Sequence, residues 1–199
     1  SLGGPLLDPM EKAAIDYAIG KGVVIVAAAG NEGEAGMGYP GAYAPVISVA
    51  ASGWIGEWYP GDSLWWIARE VPDPTSVDDY YITDSSSRAL PGQDLDVAAP
   101  GSWIAGPYQV NSGHLSYYFL GGTSMASPHV AGIVALMAQK NSALTAADAE
   151  AILESSAVYL APGTREIHNP DGSISDVSWD ANATGAGLAT ADAALAATP

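Results

Sequence analysis

The sequence contains no cysteine. It therefore carries neither a disulfide framework nor a thiolate metal site. It is also poor in basic residues: 6 Lys and Arg stand against 22 Asp and Glu, a formal net charge of −16. So acidic a chain argues against nucleic-acid and anionic-membrane partners, and favours solubility, cation binding or a salty environment. No apolar run reaches the roughly 20 residues of a membrane-spanning helix, and nothing at the amino terminus reads as a signal peptide. What is left is 199 residues, enough for one domain with a sizeable core.

The stretch that organises the chain is Gly121-Gly122-Thr123-Ser124-Met125-Ala126-Ser127-Pro128-His129-Val130-Ala131-Gly132. Two glycines permit a sharp turn and a close approach by another molecule. Ser124 then falls at or just before a helix start, where free N–H groups and the positive end of the dipole face outward. Pro128 sits about one turn in, where a missing backbone donor is least costly. Val130, Ile133, Val134 and Met137 recur at helical spacing as a buried stripe. Ser124 is thus carried on the end of a core-packed rod, a mount suited to a nucleophile. A plain helix cap by Thr123 or Ser124 is the competing reading.

Upstream, Asp8-Pro9-Met10-Glu11 has the form of a helix start, with Asp as cap and Pro at the first turn. Ala14, Ile15, Ala18 and Ile19 supply its apolar face, and Gly20 and Gly22 end it. Val23 to Ala29 is a continuous apolar run, predicted as a strand buried on both faces. Val46 to Ala51 is a second strand. This is the grammar of an α/β fold with a parallel sheet flanked by helices. Trp103–Gln109 and His114–Leu120, joined at Asn111-Ser112-Gly113, predict a β-hairpin leading into Gly121. Thr145-Ala146-Ala147-Asp148 caps a helix running to about Glu154, and a final Ala-rich helix starts near Thr190. Gly30-Asn31-Glu32-Gly33 follows the first strand. It is either a simple turn or, at the carboxyl end of a parallel strand, part of a site.

Taken together, the Gly122–Gly132 string, Gly30-Asn31-Glu32-Gly33 and the opening Ser1-Leu2-Gly3-Gly4 resemble the subtilisin-like serine proteases. The resemblance covers most of the chain and implies that family's α/β fold, here truncated at the amino terminus. It implies that Ser124 attacks the peptide carbonyl, and that the Asn31 amide and the Ser124 N–H donate to the oxyanion. Ser1, Leu2 and Gly3 on one side, and Ala28, Ala29 and Gly30 on the other, would line the substrate pocket. Glu32 and Gly38 would lie near its floor. The backbone there would pair with an extended polypeptide substrate. The chemistry needs no cofactor. A structural calcium is possible, with Asp96 and backbone carbonyls around Gly41 and Tyr43 helping to bind a cation as in some relatives; the metal ligands themselves stay unknown. The family also implies an extracellular or cell-envelope location.

Two stretches depart from the family pattern. About 53–84 reads as an aromatic, acidic insertion, with Trp54, Trp58, Tyr59, Trp65, Trp66, Tyr80, Tyr81, Asp62, Asp73, Asp78 and Asp79. It is either a flap for a partner or, the preferred reading, an excursion whose rings pack on the domain. Arg165 to Asn182 reads as a loop.

A serine hydroxyl needs a base and a group that orients the base. The family keeps its Asp and His upstream of the segment with which this chain opens. His129 lies five residues past Ser124, on another side of the helix. His114 and His168 lack the family's histidine motif. The expectation is a C-terminal part of a protease domain, inactive unless another chain supplies the missing part, with self-association or a refolded N-terminal region covering the apolar edges the truncation exposes; a propeptide is a further candidate partner. The alternative is a non-catalytic protein-binding module on a degenerate protease fold. A nucleophile-elbow hydrolase is disfavoured, because Gly122-Thr123-Ser124-Met125-Ala126 is not Gly-x-Ser-x-Gly.

Overall fold

A computed structural model describes residues 1–58, 76–108, 112–113 and 116–199. Tyr59, Asp62, Trp65, Trp66, Asp73 and His114 lie outside the described residues.

Helix α1 (Pro9–Ile19) starts as its sequence dictates: Asp8 caps it, its carboxylate accepting the N–H of Met10 at 2.8 Å and of Glu11 at 3.3 Å. Only Ile15 of its apolar residues is buried, and Ala14 is exposed. The first strand, β1 (Val26–Ala28), is shorter than the apolar run 23–29. Val23 is exposed, and residues 23–25 lead in with a single inter-strand bond, the Ile25 carbonyl accepting Ile47 N–H at 2.9 Å. Strand β2 (Ile47–Trp54) extends three residues past the predicted end and is buried at every position but Trp54.

That burial follows from β2's place at the centre of the sheet. It pairs in parallel with β1 through Val26↔Ile47 to Ala28↔Val49. It pairs in parallel with β4 (Val97–Pro100) through Val49↔Val97 to Ser52↔Pro100. It pairs antiparallel with β3 (Tyr80–Ile82), which matches Trp54↔Tyr80 and Ser52↔Ile82. Because Val49 bonds to both β1 and β4, and Ser52 to both β3 and β4, β1 and β3 share one edge of β2. The sheet is therefore mixed, not wholly parallel. The antiparallel member comes from the 53–84 stretch, whose Tyr80 and Tyr81 are buried.

Strands β5 (Ile104–Tyr108) and β6 (Ser116–Leu120) form the predicted hairpin, with Ile104 opposite Leu120. Helix α2 (Thr123–Lys140) follows at once. Its stripe of Val130, Ile133, Val134 and Met137 is buried against Ile47, Val49, Ala51, Val97 and Ala99 of the sheet. Helix α3 (Ala146–Ser156) opens with a complete capping box between Thr145 and Asp148. Helix α4 (Ala191–Ala197) closes the core through Ala194. Thus β2 and β4 are covered by helices, and α2 is fixed in both depth and rotation.

The expected loop 165–182 is instead another hairpin, β7 (Gly163–His168) with β8 (Ile174–Trp179). Asn169-Pro170-Asp171-Gly172 supplies its turn, with Gly172 at φ 83° and Asp171 accepting from Ser173 N–H. Val177 and Trp179 face inward beside Tyr80 and Ile82. The Arg165 guanidinium lies over the Trp179 ring and donates to the Asp78 carbonyl at 2.7 Å.

Candidate active site

Ser124 is the second residue of α2, half-buried, with Gly122 as cap residue. No side chain caps this helix at Gly122. Its first N–H groups are used differently from one another. Thr123 N–H donates to Asn31 Oδ1 at 2.9 Å, and Met125 N–H to the Gly122 carbonyl at 2.9 Å. The Ser124 N–H between them has no acceptor among the described residues. Gly122 has φ 133°, a conformation reserved for glycine. A Cβ there would also stand 3.0 Å from Asn31 Oδ1. The glycine is what lets the helix end and the Asn31 side chain meet.

The Asn31 amide has a defined orientation. A backbone N–H can donate only to its oxygen, so Oδ1 faces Thr123 and Nδ2 is the end left over. Nδ2 has no acceptor among the described residues. Thr123 reinforces this: its Oγ1 lies 3.1 Å from Asn31 Oδ1 and 3.1 Å from the Gly30 carbonyl, and accepts Gly30 N–H at 3.2 Å. Thr123 is fully buried. Two unpaired donors, Asn31 Nδ2 and Ser124 N–H, thus stand beside a serine hydroxyl.

A loop that sequence reasoning did not single out braces the Asn31 turn. Ser87 N–H donates to the Gly30 carbonyl, and Ser87 Oγ accepts Glu32 N–H at 3.0 Å. Buried Arg88 donates to the carbonyls of Thr83 and Ser86 and faces Glu34 at 3.6 Å. Gln93 bonds both the N–H and the carbonyl of Met37, fixing the far wall. The run Ser85-Ser86-Ser87-Arg88 is the only signal the sequence offers for this brace.

In front of Ser124 lies a cleft of about 630 Å³. Ser1, Leu2 and Gly3 form one side, and Ala28, Gly30 and Asn31 the other, with Glu32 and Gly38 also lining it. Gly4 and Tyr39 hold the first side in place by a reciprocal pair of backbone bonds, each 2.8 Å. Ser1 Oγ donates to the Ser124 carbonyl at 2.8 Å. Ala29 departs from its expected place: it is fully buried in the core with Met37 and Ala50 and does not line the cleft. Successive side chains along the extended chain point to opposite faces, so Ala28 faces the cleft while Ala29 points into the core.

No histidine among the described residues lines the cleft. The exposed His129 ring shares a hydrogen with its own helix, Nδ1 lying 2.8 Å from the Met125 carbonyl. His168 is on β7.

Asp96, the residue expected to help hold a cation, has two further carboxylates close by. It is buried, and its Oδ2 accepts both the N–H and the hydroxyl of Ser48 at 2.6 Å. Carboxylate oxygens of Glu150 and Glu154 on α3 lie with one of its own within 4.8 Å of each other. Burial pushes the Asp96 carboxyl above its usual range, against the two Ser48 bonds that lower it. Glu150 is pushed up to about 7 by partial burial first, then by the charges of Asp96, Glu154 and Asp94. Glu154 is raised too, by partial burial first and then by the charges of Asp96 and Asp94.

Known proteins resemble this chain in sequence and fold. The model of the subtilase family matches residues 1–187. Thermitase of Thermoactinomyces vulgaris is 37% identical over 140 residues, which is 70% of this chain and 39% of that protein. Subtilisin DY of Bacillus licheniformis is 37% identical over 164 residues, 80% of this chain and 48% of that one. The chain spans less than half the length of these curated relatives. Among solved structures, a protease from Pseudoalteromonas arctica PAMC 21717 superposes with TM-score 0.69 at 26% identity, over 100% of this chain and 50% of that one. Sphericase superposes with TM-score 0.60 at 30% identity, over 79% and 47% respectively.

Proposed function

Since the chain belongs to the subtilase family, we propose that it contributes the nucleophile and oxyanion hole of a serine endopeptidase. Ser124 Oγ attacks the peptide carbonyl, the leaving amine departs, and the acyl group stays on Ser124 until water releases it. The carbonyl oxygen, negative in the tetrahedral intermediate, is received by Asn31 Nδ2 and the Ser124 N–H. The observation that carries this reading is the Thr123 clamp, which ties up the Asn31 amide oxygen and leaves only its N–H end for the cleft. The substrate is a polypeptide, held between the Ser1–Gly3 and Ala28–Gly30 segments with Glu32 and Gly38 deeper in the pocket. The base and its orienting carboxylate come from outside these residues, from the rest of the domain or from another chain, so the isolated 199-residue chain is inactive. The stretch 53–84 is an insertion in the protease domain. The chemistry requires no cofactor, and a structural calcium adds stability only. The protein works outside the cytoplasm, at the cell envelope or beyond.

The experiment is intact mass spectrometry after incubation with a fluorophosphonate, for the chain alone and for the whole protein, each with Ser124→Ala as control. A Ser124-dependent adduct on the whole protein supports the reading. An adduct on the chain alone overturns the claim that its base comes from outside. No adduct on the whole protein overturns the enzyme reading and favours a protein-binding module with the same cleft.

A further inference from the structure

Outside the Ser124 cleft, three carboxylates converge. Asp96 immediately precedes β4, and Glu150 and Glu154 stand one turn apart on the same side of α3. One oxygen of each lies within 4.8 Å of the others. Charges of one sign at such a distance repel unless something positive sits among them. Among the described residues no Lys, Arg or His forms an ion pair with any of the three.

A second observation is independent of the clustering. Asp96 is 2% exposed, and its two oxygens are treated differently. Oδ2 accepts twice from Ser48, whereas Oδ1 is buried with no hydrogen-bond partner among the described residues. A buried carboxylate oxygen left unpaired costs about 1–3 kcal/mol or more, so such atoms are rare without a ligand. Glu150 and Glu154 are only half-buried, so the opposite side of the cluster is open to water. The arrangement is one buried carboxylate on the sheet side, two half-buried carboxylates on α3 and a solvent face.

The donor set selects the ion. Three carboxylate oxygens suit a hard cation rather than zinc or copper. An ion with bonds of about 2.3–2.6 Å bridges oxygens up to about 5 Å apart, whereas bonds of about 2.0–2.1 Å reach only about 4.2 Å. Separations anywhere up to the 4.8 Å bound fall within the first range. We propose that Asp96, Glu150 and Glu154 form a calcium site that fastens α3 to the start of β4. This rests on the structural-calcium part of the function reading and gives the ion side-chain ligands from α3. Waters at the open face complete the coordination.

The test is equilibrium dialysis of the chelator-stripped protein with radioactive calcium at neutral pH, for the parent, Glu150→Gln and Glu154→Gln. Thermal melts follow with and without calcium, and circular dichroism checks folding. Both substitutions keep size and remove repulsion, so each variant folds and melts no lower than the calcium-free parent. The expected result is one calcium per chain in the parent, binding weakened about tenfold or more in each variant, and a calcium-induced rise in melting temperature confined to the parent. Equal binding by parent and variants overturns the assignment and leaves a calcium site elsewhere standing. No binding by the parent at about 10 mM, beyond the weakest calcium modules, overturns both. The fluorophosphonate experiment reads the serine chemistry separately from either result.

Discussion

Replacing Thr123 with Val isolates the clamp between the helix end and the oxyanion loop. Valine has the same shape, so no cavity opens and α2 keeps its packing. The hydroxyl has one hydrogen for two neighbouring oxygens, the Gly30 carbonyl and Asn31 Oδ1, each 3.1 Å away. Neither oxygen is stranded by its loss. Gly30 keeps the Ser87 N–H at 2.9 Å, and Asn31 keeps the Thr123 N–H at 2.9 Å. The group that is stranded is Gly30 N–H, which donates to Oγ1 at 3.2 Å and would face a methyl group instead. One unsatisfied, largely buried donor costs about 1–3 kcal/mol. At about 2–4 °C per kcal/mol for a domain of this size, the melting temperature should fall by roughly 2–12 °C. The Asn31 amide stays oriented by the backbone bond, so Ser124 labelling by a fluorophosphonate in the whole protein should slow by less than about tenfold, the equivalent of 1.4 kcal/mol. Differential scanning fluorimetry and labelling rates measure the two effects. A variant as stable as the parent to within about 0.5 kcal/mol, the scatter of an inert surface substitution, would refute the clamp. So would a variant whose labelling collapses while its stability holds.

Asn31→Ala should act in the reverse sense, with a modest stability change and a fall in turnover of about 10²–10³-fold, a magnitude taken over from a subtilisin and read from kcat on a peptide substrate. Gly122→Ala should cost about 1–3 kcal/mol, because φ 133° is a glycine conformation and the new Cβ presses on Asn31 Oδ1; denaturant melts that match the parent would contradict it. Glu57 is buried and held by Trp54 N–H at 2.9 Å and the Ser102 hydroxyl at 2.7 Å, and burial outweighs these bonds and raises its pKa above the ordinary 4.5. The folded state therefore holds this proton more tightly than the unfolded chain, and its contribution, full below pH 4.5, fades as pH climbs through the raised value. Glu57→Gln should remove that slope, so the stability of the variant relative to the parent should increase with pH above 4.5; a difference independent of pH would rule this out.

Much of the site was legible because its residues are forced by backbone chemistry. The Gly122-Thr123-Ser124 start, Pro128 in the first turns and the Val130–Met137 stripe each name a helix position, and α2 occupies them all. Asp8, Thr145 and the 103–120 hairpin were equally readable from caps and turn residues. The misreadings have physical causes. Residues 23–25 are as apolar as β1, but of the three only Ile25 bonds to β2, through its carbonyl, and composition does not report pairing. Tyr80–Ile82 reads as a hydrophobic run in either strand direction, so the antiparallel edge of the sheet left no trace in the pattern. The β7–β8 hairpin did leave one, the Asn-Pro-Asp-Gly turn between two alternating runs, but its flanks carry Arg165, Glu166, His168 and Asp176 and look like surface. The Asp96 cluster joins residues more than 50 positions apart, and only the register of α3 against the sheet brings them together.

The pairing of Trp54 with Tyr80 makes chain length a free variable at one point in this protein. Ile55 N–H still bonds the Asp79 carbonyl at 2.9 Å, so the backbone leaves the sheet and re-enters it side by side. The register of β3 against β2 is set by the rungs themselves, whatever the length of chain between them. Shortening such an excursion fivefold changes its closure entropy by only about 1.4 kcal/mol. Descendants of this sequence can therefore gain, lose or exchange the whole excursion in a single genetic event while the serine and its two donors stay where they are.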